Sequence, residues 1–583
     1  MHDVDLLVIG GGINGAGIAR DASGRGLRVL LCEQHDLAAH TSSASSKLVH
    51  GGLRYLEQGE LGLVRKALGE REVVRRQAPH LVHPLRFVLP WEPHLRPRWM
   101  LRMGLWLYDH LGRRSPAFPA SHALDLQRDP LGPWLSPDLR QAFSYADAQV
   151  DDARLVLLNA LDAAQRGAQV HVRSRCIELR PVQGRWQAML ESADGQQHVT
   201  ARAVANAAGP WAGGLLEQME ARSGGPSLRL VQGSHIVLRR PWPDDSACLL
   251  QQPDGRVVFL LPFAHDHLLV GTTDTDYRGD PARCGVLPSE VSYLCAAANR
   301  YLREPITAQD VVWQFAGVRP LLADPDPRAA KLSRDYRLQL QSDPAPALHV
   351  LGGKLTTYRV LAEEALNLLR PALPQMGPAW TAGGDPLPGS DWGDAAQARS
   401  RLRALAPWLP EEIAHRWAGA YGSRSAELLH GLQGVNDLGE DFGGGLHARE
   451  VAFLREHEWA LDAEDVLWRR SKLGLRLDAA QAARLQAWMG GRIPFPRNGL
   501  CPPVLPRVPT RVGSYQGGRA RCDRCIRISP SLPETLHDAP LRAGHRPGHH
   551  QFARDPVRPC RRHRRQCAAR VRADLPAARL GRA

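Results

Sequence analysis

The segment from Asp5 to Glu33, DLLVIGGGINGAGIARDASGRGLRVLLCE, constrains this chain more than any other. Asp5–Ile9 reads as a short buried strand, Gly10–Gly17 as a turn, Ile18–Arg25 as a helix and Arg28–Glu33 as a second buried strand. That order is a βαβ unit, and within it Gly10, Gly12 and Gly15 make G-x-G-x-x-G. The first glycine permits a tight turn, the second lets a pyrophosphate approach the backbone, and the third lets helix and strand pack closely. The helix N-terminus then offers unpaired N–H groups and a partial positive charge to the phosphates. Glu33 stands 21 residues after Gly12, where a carboxylate accepts hydrogen bonds from an adenosine ribose and disfavours a 2′-phosphate. FAD or NAD therefore fits this turn better than NADP.

The next stretch favours FAD. Residues 41–52, TSSASSKLVHGG, form a run of small hydroxylated side chains with one Lys and one His. Thr41, Ser42, Ser43, Ser45, Ser46, Lys47 and Leu48 let the backbone press against a flat ring system and its ribityl chain, although taken alone the run is equally a serine-rich loop. Ala203–Trp211, AVANAAGPW, reads as another edge of the nucleotide site, with Ala208, Gly209 and Trp211 at its end.

Charge separates the body of the chain from its end. The formal net charge is +14, yet residues 490–583 hold 20 Arg, no Lys and five acidic residues, which leaves 14 − 15 = −1 for residues 1–489. The body therefore carries no nucleic-acid signature. Residues 490–583 also hold 13 Pro and no apolar period, so they are expected to be disordered, and their composition is that of GC-rich codons, as in an out-of-frame end. Cys522, Cys525, Cys560, His563 and Cys567 lack the paired spacing of a zinc site, so no metal is expected. The opening MHDVDLLVIGGG is neither a signal peptide nor a membrane span, and no other segment supplies about 18 uninterrupted apolar residues. Scattered single cysteines suit a reducing compartment.

Only five of the 74 basic residues are Lys, and Lys47 and Lys354 both lie in Gly/Ser-rich motifs. In GGKLTTYR, Lys354 follows two glycines and precedes two threonines, the setting of a charge held near a flavin or substrate oxygen. The pattern SHIVL, RVVFLLPF and HLLVGTT within 231–312 predicts an antiparallel sheet, and helical periods dominate from Asp394 to Trp488. Residues 375–385 read as a linker. Trp99–Leu111, WMLRMGLWLYDHL, with arginines at both ends, reads either as an interfacial anchor or as a helix packed on the sheet.

From residue 3 to about residue 489 the chain resembles the FAD-dependent, respiratory glycerol-3-phosphate dehydrogenases. The resemblance rests on GGGINGAG at 10–17, TSSASSKLVHGGLRYLE at 41–57, GTTDTDY at 271–277, GVRP at 317–320, SRDY at 333–336, GGKLTTYR at 352–359 and DLGEDFG at 437–443. It implies an α/β fold: a Rossmann-like FAD-binding domain of the glutathione-reductase and D-amino-acid-oxidase kind, an antiparallel substrate cap and a C-terminal helical domain. The expected pieces are 1–80, 145–230 and 315–370 for FAD, 81–144 and 231–314 for the cap, and 386–489 for the helices. It also implies oxidation of sn-glycerol 3-phosphate to dihydroxyacetone phosphate, noncovalent FAD, electrons passed to a membrane quinone, a peripheral place on the inner face of the cytoplasmic membrane, and a homodimer. Ile13, Asn14, Gly353, Leu355, Thr356 and Thr357 join the cofactor candidates. Arg54, Tyr55, Arg319, Arg334 and Lys354 match substrate-contacting positions, and Arg is suited to a phosphate dianion by its paired donors. His50 resembles the proposed base, with His235 the runner-up, and Arg319 and Lys354 would stabilise a developing alkoxide. The rival readings are an oxidase that uses oxygen and, more distantly, nucleic-acid binding by the tail.

Overall fold

The computed structural model describes residues 2–93, 96–112, 115–219, 228–243, 245–322 and 335–490. The expected disordered tail and Arg334 lie outside the described residues.

Two sheets organise the body. The first has the spatial order Arg337–Gln341, Ala347–Leu351, Gly195–Asn206, His2–Ile9, Val29–Cys32, Gln169–His171, with its central strands parallel. Both faces are covered, which is why its strands read as unbroken apolar runs. Leu6 and Val8 pack toward Ile13–Gly24, Asp152–Gln165 and Tyr358–Leu369, while Leu7 and Ile9 pack toward Trp186 on the hairpin Arg175–Val182/Arg185–Ser192. The first helix begins at Ile13 and not at Ile18, with Gly12 as its N-cap. Glycines 15 and 17 therefore lie inside the helix as packing residues: a Cβ on Gly15 would stand 1.9 Å from the Gly10 carbonyl oxygen, and one on Gly17 2.8 Å from the Tyr358 ring.

The second sheet runs Thr275–Asp276, Leu228–Leu238, His267–Gly271, Val257–Phe263, Ser246–Gln251, Val82–Pro90, Gln141–Val150, Leu48–Val49, and Val311–Leu322 pairs with Leu228–Leu238 from one side. It is antiparallel, as the alternating patterns predict, except where Ser246–Gln251 runs parallel to Val82–Pro90. The divisions expected at 145 and 315 fall inside strands: Gln141–Val150 pairs along its whole length with Val82–Pro90, and Val311–Leu322 with Leu228–Leu238. Ladder pairing holds each strand to one sheet from end to end, so the nucleotide part contributes less chain than expected. One face of this sheet is closed by Pro288–Asn299. The other carries Phe87, Leu89 and Leu249 and is covered by Leu61–Gln77 and Arg98–Leu111.

Residues 395–490 form a helical unit with its own core of Trp417, Tyr421, Phe442 and Leu454. It is joined to the nucleotide part by buried ion pairs, among them Arg154 with Glu458. Among the described residues no helix is long and apolar enough to cross a membrane.

Candidate active site

A cavity of about 1180 Å³ lies between the two sheets. Its nucleotide end is built by the glycine turn. Gly10 adopts φ +113°, and a Cβ there would stand 2.4 Å from the Ala207 carbonyl oxygen, so the turn can only close on glycine. The Gly11 N–H donates to Glu33 Oε2 at 2.6 Å, and His35 N–H to its other oxygen at 2.9 Å. Burial pushes the Glu33 carboxyl up, partly offset by these two donors. Ile13 N–H donates to Ser42 Oγ at 3.0 Å, and no acidic residue occupies the first turn of the helix, leaving its positive end turned toward the cavity.

The hydroxyl-rich loop stitches the two sheets together. Thr41 Oγ1 donates to the Val318 carbonyl at 2.6 Å, Ser45 Oγ to Asp152 at 2.7 Å, and Ser46 Oγ meets His235 Nε2 at 3.0 Å. Lys47 is turned away from the cavity: its Nζ donates to Asp152 at 2.9 Å and to the Ser43 carbonyl at 2.8 Å, and the side chain is buried. The ammonium is thus an internal tie for the loop.

The cationic candidates line the same cavity. Arg319, on Val311–Leu322, donates to Asp274 at 2.6 Å and to Thr272 Oγ1 at 2.9 Å. Arg54 donates to the Gly255 carbonyl at 3.0 Å and has no carboxylate partner among the described residues. Lys354 Nζ lies 4.2 Å above the Tyr55 ring, after Gly352 and Gly353 at φ +83° and +110°. His50 is held through its backbone, its N–H donating to Thr356 Oγ1 at 3.2 Å. Burial lowers its imidazole pKa, Lys354 and Arg71 lower it further, and Asp147 opposes them. His235 is buried and stacked on Phe315 at 4.9 Å, and burial together with Arg319 and Lys47 holds its pKa well below the ordinary value.

Of the sequence candidates, Gly10, Gly12, Ile13, Asn14, Glu33, Thr41, Ser42, Ser45, Ser46, Leu48, Ala208, Gly209, Trp211, Gly353, Lys354, Leu355 and Thr356 line the cavity, with His50, Arg54, Tyr55, His235 and Arg319. Gly15, Ser43, Lys47 and Thr357 do not. Sequence reasoning passed over Thr272 and Asp274, which orient Arg319 although their motif GTTDTDY was in view. It also missed His40, set edge-on to Trp211 at 4.7 Å. An apolar arm was missed as well: Leu53, Leu56, Leu89, Met100, Met103 and Leu107 extend the cavity beneath Arg98–Leu111. These residues come from three separate segments, so their meeting in one arm has no local signal.

The family described as FAD dependent oxidoreductase matches residues 5–359, and the family described as C-terminal domain of alpha-glycerophosphate oxidase matches residues 383–488. A glycerol-3-phosphate dehydrogenase of Pseudomonas aeruginosa is 50% identical over 494 residues, which cover 84% of this chain and 96% of that protein. The chain belongs to the FAD-dependent glycerol-3-phosphate dehydrogenase family. The glycerol-3-phosphate dehydrogenase of Bacillus halodurans, solved in complex with FAD, shares the fold of this family member with a TM-score of 0.66 at 27% identity, over 84% of this chain and 90% of that one. A D-erythritol 1-phosphate dehydrogenase of Brucella abortus is 45% identical over 489 residues, 83% of this chain and 97% of that protein. The family cofactor FAD fits the residues present. The glycine turn leaves room where a side chain would intrude, and Asn14 Oδ1 is buried beside the turn without a hydrogen-bond partner among the described residues. The cavity also exceeds the roughly 300–1,000 Å³ of an ordinary small-molecule pocket.

Proposed function

We propose that this chain oxidises sn-glycerol 3-phosphate to dihydroxyacetone phosphate and passes the electrons to a membrane quinone. The reading is carried by one observation: Arg54, Arg319 and Lys354, with His50 and His235, line the same cavity as the glycine turn. Bound FAD supplies the acceptor for the hydride equivalent that leaves the substrate C2. The chain's own residues do the rest. Arg54, without a carboxylate to neutralise it among the described residues, is the cation with most to gain from a phosphate dianion, and Arg319 is pre-aimed by Asp274 and Thr272. His50, kept neutral by its surroundings, accepts the proton of the substrate hydroxyl, while Lys354 stabilises the negative charge that builds on that oxygen. The Gly271 position matters to the runner-up: a Cβ there would stand 2.0 Å from the His235 ring, so that histidine has room only because residue 271 is glycine.

The quinone reading is supported by the apolar arm. Arg98–Leu111 buries Leu101, Leu105 and Tyr108 and exposes Trp99, Met103 and Trp106 by 64%, 56% and 54%. These three are spaced four and three residues apart, so they share one face, and Arg96, Arg98 and Arg102 are exposed beside it. Such a helix lies in a bilayer interface with its basic residues at the headgroups. Met103 on this face, with Met100 and Leu107, also lines the arm, giving an apolar quinone a route from lipid to cavity.

The test is steady-state oxidation of sn-glycerol 3-phosphate, glycerol and D-erythritol 1-phosphate by the purified chain, with a short-chain quinone or oxygen as acceptor. The proposal expects the highest kcat/KM for sn-glycerol 3-phosphate with quinone. A preference for the four-carbon substrate would reassign the substrate, and oxygen as the faster acceptor would make the chain an oxidase.

A further inference from the structure

We infer that the C-terminal helical unit is a clasp that sets how tightly the FAD site is held, acting through Asp36. The inference rests on FAD occupying the cavity described above. Among the described residues none beyond Thr356 lines that cavity, yet the turn Asp465–Arg470 grips the loop that forms its nucleotide end. Asp36 is 1% exposed and accepts from Arg469 Nε at 2.5 Å and from both terminal nitrogens of Arg470 at 2.6 and 2.9 Å. Arg173 adds a second hold: its N–H donates to the His35 carbonyl at 2.8 Å, and its guanidinium to Asp462 at 2.8 Å and Asp465 at 2.9 Å.

The gripped loop makes the glycine turn. Glu33 accepts from Gly11 N–H, Ala38 N–H donates to the Gly11 carbonyl at 3.1 Å, and Ser42 accepts from Ile13 N–H. A side chain on Gly11 would meet Glu33 Cβ at 2.8 Å and Leu37 at 2.9 Å, so loop and turn are in close contact. A second arm of the clasp reaches the other end of the cavity. Trp468 stacks on Trp313 at 4.4 Å, Trp313 packs on Phe315 at 4.8 Å, and Phe315 stacks on His235. Two buried arginines on one aspartate hold a single geometry, because a neutral or displaced partner leaves uncompensated buried charge. Ordering the loop before the nucleotide arrives lowers the conformational cost of binding, and linkage requires that bound FAD tighten the clasp in return.

The test uses the full-length holoenzyme. Asp36→Asn and the milder Arg469→Gln, which leaves Arg470 on Asp36, are compared with the unmodified chain and with Arg416→Lys. The last weakens the Arg416–Glu450 pair inside the same unit without touching the loop. The appearance of free-flavin fluorescence on dilution reads FAD release. We expect release about tenfold faster from the first two variants, within the usual range of coupling between sites, and unchanged from Arg416→Lys. Hydrogen exchange of the unmodified chain, with and without FAD, provides a readout that needs no variant: amides in 462–472 should slow when FAD binds. Release from Asp36→Asn and Arg469→Gln as slow as from the unmodified chain would overturn the clasp, as would exchange in 462–472 that ignores FAD. If neither variant folds, the exchange measurement alone decides. A purified chain without any flavin would instead contradict the cofactor reading itself.

Discussion

His50 shows how a single side chain is tuned here. Burial lowers its pKa, and the neighbouring Lys354 and Arg71 push the same way against Asp147, so at neutral pH the ring is unprotonated and able to accept a proton. Since the shift is downward, kcat/KM should fall only below the ordinary histidine range, and its acid limb should track the His50 pKa. Replacing His50 by Asn should lower kcat by about 10²–10⁴-fold with the flavin content unchanged. Flavin content, kcat and a kcat/KM–pH profile measured on one preparation check this. Near-normal turnover in His50→Asn would pass the role to His235. Some of this was legible in the residues themselves: Gly10, Glu33, Lys354 and His50 sit in short motifs whose chemistry is local. Asp274 was not, because its part is to hold Arg319 from 45 positions away, and only the fold pairs them. Lys47 misled for a related reason. Its motif sits on the cavity wall while its ammonium turns inward to Asp152, a partner 105 positions away.

Among the elements, Arg98–Leu111 is the one on which the proposed membrane contact rests. One face packs on the second sheet through Leu101, Leu105 and Tyr108, and the other displays Trp99 and Trp106, neither of which lines the cavity. Exposed tryptophans gain on entering a lipid interface because an apolar ring and a polar N–H are both satisfied there. Replacing Trp99 and Trp106 together by Ser should weaken binding to anionic vesicles by at least about tenfold, since burying even one large apolar side chain is worth roughly 1.5–3 kcal/mol. Turnover with a soluble short-chain quinone should stay unchanged. Vesicle sedimentation and the quinone assay check the two halves of the prediction, and unaltered sedimentation would place the membrane contact on another element. The amphipathic helix itself was readable from its sequence period. What the sequence period did not show is that the second sheet covers one face, as the packed reading expects, and leaves the other bare.

On the scale of the molecule, buried histidines make stability depend on pH. Burial lowers His80 to about 3 and His171 and His349 to about 4. Each binds a proton more readily when unfolded, so the stability it protects is fully present above the ordinary histidine value and is lost as pH falls toward the folded one. Each contributes a slope of at most about 1.4 kcal/mol per pH unit in that window. Burial alone would raise Glu458, but Arg154 and Arg424 outweigh it and hold the group at about 2, which adds a further loss below the ordinary carboxylate range. The thermal midpoint should therefore drop steadily from pH 6.5 to pH 4, and His80→Gln should flatten the fall by one proton's worth. A midpoint indifferent to pH in that interval would contradict this. His80 lies where Gly389 and Gly422 meet, at the seam between the nucleotide part and the helical unit, so acid should loosen that seam early. Such long-range seams were the least legible part of the chain. The βαβ opening announces its fold within thirty residues, whereas Asp36 and Arg470 lie 434 positions apart and neither stands in a recognisable motif.

In the function proposed, one cavity holds FAD and a phosphorylated polyol together, with Arg54 and Arg319 selecting the phosphate. Anaerobic mixing of the purified chain with sn-glycerol 3-phosphate tests it most directly, with flavin absorbance as the readout and glycerol and glycerol 2-phosphate as controls. The account predicts that the flavin absorbance bleaches with sn-glycerol 3-phosphate and with neither control. A bound flavin that stays oxidised with sn-glycerol 3-phosphate, or one that bleaches equally with glycerol, would contradict it.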